Sequence, residues 1–395
     1  MSASLDAGYY VIEEEDETAV KSEVKEACGA EAGGEAGEEE ELQQEEEDGE
    51  ASRTSDQITW LSGFQRKYSV MHDLGKGRFS VVKRCQRNSD GVEVAVKFVR
   101  RARQERPATE REYLLLRRMQ HPSLIRSIAL YNATPKFDIL VLELIMGLPL
   151  LDWIFTREET TESECAVLVK QVVQGLQYLH SSQVAYLDLK PENLLVDILR
   201  TKNEDGVCSI CPDENLPAVR LIDFGNARSV CEKTPSEKSG PVTPVRELVV
   251  PPECPPLVLG SPEFMSPEIL ARKDVGIPAD YWGLGVLIYV LVSGRSPFLG
   301  ASPEATCRNI LTGDLRFPVE YFASVTQEAC DLIHDLLAYK PEDRMELQDA
   351  LSHQWFSMEE CESVLPIQSL ADYSFRRSKV ASSVQIITPQ SSTSN

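Results

Sequence analysis

No hydrophobic run in this 395-residue chain is long enough to cross a bilayer, and no apolar signal segment follows Met1. Both absences argue against a membrane-spanning or secreted protein and set the expectation of a cytoplasmic one. The ten cysteines follow no framework spacing, which excludes a disulfide-stapled scaffold and suits reduced thiols. Cys208 and Cys211 form the single close pair, and no second Cys or His pair is placed to complete a zinc knuckle. Positive charge is also short, with 40 Lys and Arg against 63 Asp and Glu, a net of −23. The deficit is local: residues 1–50 hold 19 acidic and two basic residues, net −17, which leaves −6 for the remainder. That acidity argues against non-specific nucleic-acid binding. The acidic runs at 13–17 and 38–41 are separated by Gly, Ala and Ser. Such a composition cannot bury a core, so residues 1–57 are predicted to be a disordered acidic tail. The length fits one two-part domain with tails better than two separate domains.

What is present is an ordered set of groups suited to phosphate chemistry. Asp188-Leu189-Lys190-Pro191-Glu192-Asn193 is followed by Asp223-Phe224-Gly225. Asp188 can orient a hydroxyl, Lys190 can meet phosphate charge, and Asn193 with Asp223 can hold magnesium. Phosphoryl transfer asks mainly for positioning and charge neutralisation, and these residue types supply both. Upstream, Leu74-Gly75-Lys76-Gly77-Arg78-Phe79-Ser80-Val81-Val82 lies between strand-like runs at 68–73 and 81–85. Its glycines would let backbone amides approach a triphosphate, although a Gly-x-Gly turn by itself fits an ordinary hairpin equally well. Val94-Ala95-Val96-Lys97 alternates as a buried strand, and Lys97 at its end needs an anion. Glu110 and Glu112 are the available carboxylates, on a helix that stops before His121-Pro122. Residues 139–145 read as a buried strand, and residues 165–180 as a helix with Leu168, Val172, Leu176 and Leu179 on one face.

These stretches resemble the eukaryotic Ser/Thr protein kinases of the calmodulin-kinase group. They are most similar to Trio/Kalirin kinase domains, with obscurin, myosin-light-chain and death-associated kinases nearby. The resemblance is carried by Leu-Gly-Lys-Gly-Arg-Phe-Ser at 74–80, Val-Ala-Val-Lys-Phe-Val at 94–99 and Leu-Asp-Leu-Lys-Pro-Glu-Asn at 187–193. Gly-Ser-Pro-Glu-Phe-Met-Ser-Pro-Glu at 260–268 and Asp-Tyr-Trp-Gly-Leu-Gly-Val at 280–286 extend it. It covers residues 68–356 and implies an α+β, bilobal kinase fold with a small antiparallel β lobe and a larger helical lobe. ATP and Mg2+ are the implied cofactors and protein serines or threonines the acceptors. ATP would sit between the lobes, under the loop at 74–82, with adenine meeting backbone around Glu143 and Ile145 and Leu142 at the back. The resemblance also favours Glu112 over Glu110 as partner of Lys97, pairs Glu268 with Arg344, and has Asp280 anchor the catalytic loop.

Several positions depart from that pattern. Tyr186 and Leu187 stand where the family has histidine and arginine, and leucine cannot pair with a phosphate on the activation segment. Phosphorylation of that segment is therefore not expected to be the on-switch. Pro149 replaces a glutamate, leaving Glu192 for a basic substrate residue. Segments 199–216 and 229–259 are longer than the fold requires, and Thr234-Pro235 and Thr243-Pro244 fall in the second. Residues 357–395 are expected to be a disordered or regulatory tail. In it, Tyr373-Ser374-Phe375-Arg376-Arg377-Ser378-Lys379-Val380 forms a small basic cluster of the kind that can bind calmodulin. Protein substrates are the expected partners, and oligomeric state is left open. Two rivals remain at this level: a pseudokinase used as a binding module, and a scaffold whose tails carry the function.

Overall fold

Alternating apolar residues build the first part of the chain. The computed structural model describes residues 61–77, 80–100, 106–132, 137–197, 217–230, 262–273, 275–358 and 363–383. They divide into two units, one of residues up to 118 with 126–144, the other of 119–125 with everything from 145. The predicted acidic tail, the 199–216 insertion and both Thr-Pro pairs lie outside the described residues.

In the first unit, β1 (Tyr68–Lys76), β2 (Ser80–Arg87), β3 (Glu93–Arg100), β4 (Ser127–Tyr131) and β5 (Phe137–Glu143) form one antiparallel sheet. The strand order is β1-β2-β3-β5-β4. A short helix α1 (Phe64–Lys67) precedes β1, and α2 (Arg106–Arg118) packs against β4 and β5. The two-residue period of β3 sorts its side chains. Val94, Val96 and Phe98 join a core with Cys85, Ile139 and Val141, while Lys97 faces α2. That core reaches further towards the N-terminus than residue 68. Phe64 is only 1% exposed, stacking on Tyr68 at 5.2 Å and meeting Phe98 and Tyr131 edge-on. Leu61 bridges Tyr131 on β4. Burying one such phenylalanine contributes about 1.5–3 kcal/mol, so the folded domain begins before the kinase-like motifs do.

The second unit is mainly helical. After β6 (Gly147–Pro149) and α3 (Leu150–Phe155) comes α4 (Glu162–Ser181), the helix expected at 165–180. It starts earlier because Thr161 and Glu164 make a reciprocal capping box. Next are β7 (Val184–Ala185), a 3-10 turn at Pro191–Asn193, β8 (Leu194–Asp197), β9 (Ala218–Leu221) and β10 (Arg228–Ser229). The remaining helices are α5 (Pro267–Leu270), α6 (Pro278–Ser293), α7 (Pro303–Thr312), α8 (Val319–Phe322), α9 (Gln327–Leu336), α10 (Leu347–Leu351) and α11 (Ile367–Ser383). Strands β6, β8 and β9 form a small sheet, and β7 pairs with β10. Helix α6 is apolar on all sides and almost wholly buried, so it is the centre of this unit. Among the described residues no helix is long and apolar enough to cross a membrane.

Helix α11 occupies part of the tail for which the sequence left disorder and regulation both open. It packs on α3 and α6 and buries Leu370 and Tyr373. Gly294 makes this possible. It ends α6 at φ +67°, and a Cβ there would lie 2.4 Å from the Cβ of Ser369. Only glycine satisfies both the left-handed backbone and the close approach of α11.

Candidate active site

Each unit assembles its own group of polar side chains. In the first, Lys97 donates to both oxygens of Glu112 at 2.8 and 2.9 Å. The side chains are 9% and 1% exposed, so each charge depends on the other for compensation. The β1–β2 hairpin is closed by the Gly77 N–H donating to the Ser80 carbonyl at 2.8 Å. A Cβ on Gly75 would meet nothing within 4 Å; packing does not require glycine there, and the backbone is left open to a ligand. Leu74, Lys76, Val81 and Val82 flank that opening, with Ser80 on β2, while Arg78 and Phe79 lie outside the described residues. The Glu143 carboxylate is taken by Arg126, through its backbone N–H at 2.9 Å and its Nε at 3.0 Å. That carboxylate is thus held within the first unit. Ile145 is a buried residue at the start of the second.

In the second unit the loop after β7 hangs on one buried carboxylate. Asp280, at 1% exposure, accepts from the Tyr186 N–H at 2.8 Å and the Leu187 N–H at 2.7 Å. His180 Nε2 lies 2.8 Å from the same carboxylate, whose acceptor-only oxygens assign the ring proton to that nitrogen. Leu187 has φ +63°, a left-handed backbone that costs about 1–2 kcal/mol for a residue of this kind. The Asp280 anchor holds it there. The next residue, Asp188, receives Lys190 Nζ on both oxygens at 2.9 Å. Asn193 Nδ2 donates to the Asp188 carbonyl and to its Oδ2, each at 2.8 Å. Burial raises the Asp188 pKa, the Lys190 charge opposes this, and the neighbouring Asp223 charge adds to it.

Asp223 is brought alongside by the backbone, because the Ile222 N–H donates to the Asn193 carbonyl at 3.0 Å. With Nδ2 committed to Asp188, the amide oxygen of Asn193 is left as an acceptor. Together with the Asp223 carboxylate it forms a hard oxygen donor pair of the type magnesium prefers. Tyr186, which stands where the family has histidine, has a definite place. It is fully buried, its hydroxyl donates to the Ile222 carbonyl, and its ring meets Phe224 edge-on at 5.1 Å. Tyr186 therefore braces the residue on either side of Asp223. Glu268 and Arg344 form a two-pronged pair at 2.7 Å, as the resemblance implied.

Sequence reasoning missed an acidic patch on this unit. Arg376 on α11 donates to both oxygens of Glu263 at 3.0 Å. Arg377 reaches Glu192 at 2.6 Å and Glu263 at 3.3 Å, with its guanidinium over the Phe264 ring. Asp152 belongs to the same patch: burial, then the Glu192 charge, raises its pKa. The arginine pair was visible as part of a basic cluster, but no local pattern marks Glu263 as its receptor.

Comparison with known proteins gives the family. The protein kinase domain family matches residues 68–356. Death-associated protein kinase 2 of Mus musculus is 32% identical over 299 residues, covering 73% of this chain and 71% of the relative. The delta subunit of calcium/calmodulin-dependent protein kinase type II of Oryctolagus cuniculus is 30% identical over 304 residues, covering 76% and 50%. The autoinhibited serine kinase domain of the giant muscle protein titin superposes with TM-score 0.62 at 26% identity, covering 79% of this chain and 87% of that one. The chain is accordingly a serine/threonine kinase of the calmodulin-kinase group that uses ATP and Mg2+, and it belongs to the protein kinase family.

Proposed function

We propose that Asp188 orients the acceptor hydroxyl and takes up its proton, and that Lys190 neutralises charge on the phosphoryl group in transfer. Lys97, held by Glu112, meets the phosphates of ATP, whose triphosphate lies under residues 74–82 and whose adenine meets backbone at Glu143 and Ile145. Asn193 and Asp223 would hold magnesium, which would supply neutralisation of the phosphate charge. The observation that carries this reading is the shared set of hydrogen bonds joining Asp188, Lys190 and Asn193, with Asp223 set beside them by the Ile222–Asn193 bond. None of these groups is missing, which favours an active enzyme over a binding-only module. Profiling the purified protein on a serine/threonine peptide library with ATP and Mg2+ tests it. Incorporation is expected, and Lys97→Met should reduce it by about 10²-fold or more through lost phosphate positioning. A folded wild-type protein that transfers no phosphate would leave the site without this role.

A second reading follows from α11. Its arginine pair occupies Glu192 and Glu263, acids suited to basic residues of a substrate, so α11 acts as an internal competitor. The similar serine kinase domain of titin is an autoinhibited one, which supports this reading. Charge-assisted hydrogen bonds contribute about 1.5–3 kcal/mol. Arg376→Ala with Arg377→Ala should therefore lower KM for an arginine-containing peptide roughly tenfold, with kcat little changed. An unaltered KM would count against the competition. Calcium-bound calmodulin is the proposed ligand that removes α11, as the name of the type II relative suggests. Capture would need α11 to undock, since Leu370 and Tyr373 are buried while Phe375 is 62% exposed. A cytoplasmic setting for protein substrates is supported by the free thiols of Cys85, Cys165, Cys307 and Cys330.

A further inference from the structure

Helix α11 docks on α3 and α6 through few side chains. Of those described in it, Leu370 and Tyr373 alone are buried, and the pair Arg376 and Arg377 supplies the polar part of the contact. The Tyr373 ring is well used. The Arg376 guanidinium stands 5.1 Å and that of Arg377 5.7 Å from its centroid, a favourable arrangement for a cation over an aromatic face. Its hydroxyl is not used. The oxygen is buried and has no hydrogen-bond partner among the described residues, the one side-chain atom of α11 in that position. Buried hydroxyls are ordinarily hydrogen-bonded, so an orphan on one of two anchoring residues calls for a reason.

The nearby acceptors are already occupied. Glu263 receives Arg376 on both oxygens and Arg377 on one, and Glu192 receives Arg377. Nor does ionisation relieve the hydroxyl. Burial, the largest effect, raises its pKa, the Arg377 charge opposes that rise, and the Glu263 charge adds to it, so the phenol keeps its proton. A buried donor without a partner carries the full cost of losing water. That cost exists only while α11 is docked, because water solvates the hydroxyl once the helix lifts. Phenylalanine in its place would keep the ring, its packing and its cation contacts, and would carry no such cost.

We propose that the Tyr373 hydroxyl is a built-in weakness of α11 docking, which keeps the arginine pair releasable from Glu192 and Glu263. The hydroxyl favours the lifted state and the ring favours the docked one, so the balance lies closer to release than the contacts of the ring alone would set it. The consequence for substrate rests on the reading of α11 as an internal competitor; the docking equilibrium does not.

The test measures hydrogen–deuterium exchange of the α11 amides in the full-length protein, together with KM for an arginine-containing serine peptide. Amide exchange reports how often the helix opens. Tyr373→Phe should slow it roughly fivefold or more and raise KM by a similar factor, with kcat little changed. The same substitution made together with Arg376→Ala and Arg377→Ala should still slow exchange by a similar factor, since the arginines are not its cause. Unchanged or faster exchange in Tyr373→Phe means that the hydroxyl costs nothing when docked, and it overturns the proposal. Slowing that disappears with the arginines assigns the effect to the cation contacts and overturns it equally. Slower exchange in both backgrounds with an unaltered KM upholds the weak docking and removes the competitor reading instead.

Discussion

Asp223→Asn is expected to leave the protein folded and to lower kcat/KM for peptide phosphorylation by about 10³-fold. Asparagine is the informative replacement because Asp223 has φ +59°, a conformation that asparagine tolerates and alanine does not. The substitution keeps shape and removes only charge. Metal-bound charge stabilisation is a matter of several kcal/mol, and about 4 kcal/mol corresponds to three factors of ten. Asp188→Asn should cost a comparable 10²–10⁴-fold, the range for a positioned acid or base, so magnitude alone does not separate the two roles. Magnesium dependence does: Asp223→Asn should demand more Mg2+, while Asp188→Asn should leave that dependence unchanged. The pH profile gives a second separation. Burial raises the Asp188 pKa, with Lys190 opposing and Asp223 adding to the rise. A carboxylate with a raised pKa protonates sooner on acidification, so the acid limb of kcat/KM lies above the ordinary carboxylate range. Removing the Asp223 charge should move that limb to lower pH. A variant with full rate and unshifted Mg2+ dependence would take Asp223 out of the metal site.

The residues proposed to do the chemistry were legible because their spacing is local and their types are unusual together. Asp188, Lys190 and Asn193 lie within one six-residue loop, and the structure joins them by hydrogen bonds of 2.8–2.9 Å. Lys97 needed an anion because a charge ending an apolar strand is costly, and the helix offering Glu112 followed directly. Glu268 with Arg344 and Asp280 with the loop were reachable only through resemblance, since the partners are far apart in sequence. Phe64 was missed for a different reason. It lies in a short helix without apolar periodicity, and only the sheet it covers gives it a core position. The place of Tyr186 was not legible, because substitution at a familiar position shows what is lost, whereas its hydroxyl to Ile222 and its ring on Phe224 are gains of this particular packing. The Glu263 patch was hidden because a carboxylate in a loop carries no mark of the arginine pair, more than a hundred residues away, that will bind it.

Arg344→Met is expected to destabilise the protein by about 3–5 kcal/mol, the cost of leaving a buried charge without its partner. The guanidinium is fully buried and Glu268 is 5% exposed, so water cannot take over for the missing group. Arg344 also donates to the carbonyls of Ala338, Pro278 and Tyr339, and methionine would remove all three bonds. Glu268→Gln keeps those bonds and should cost less. Glu268→Met combined with Arg344→Met removes both charges, so its cost should fall short of the sum of the single substitutions, with a coupling of about 0.5–3 kcal/mol. Acid denaturation gives an independent check. Burial would raise the Glu268 pKa, but the Arg344 hydrogen bonds and charge outweigh it and hold the pKa below the ordinary value. A carboxylate whose pKa is depressed by folding stabilises the fold above its unfolded pKa, and that contribution disappears as pH falls through the folded value. Wild-type stability should therefore decline across the acid range more steeply than that of the double variant. Additive single costs and parallel acid curves would mean that the pair is only packed together and not energetically coupled.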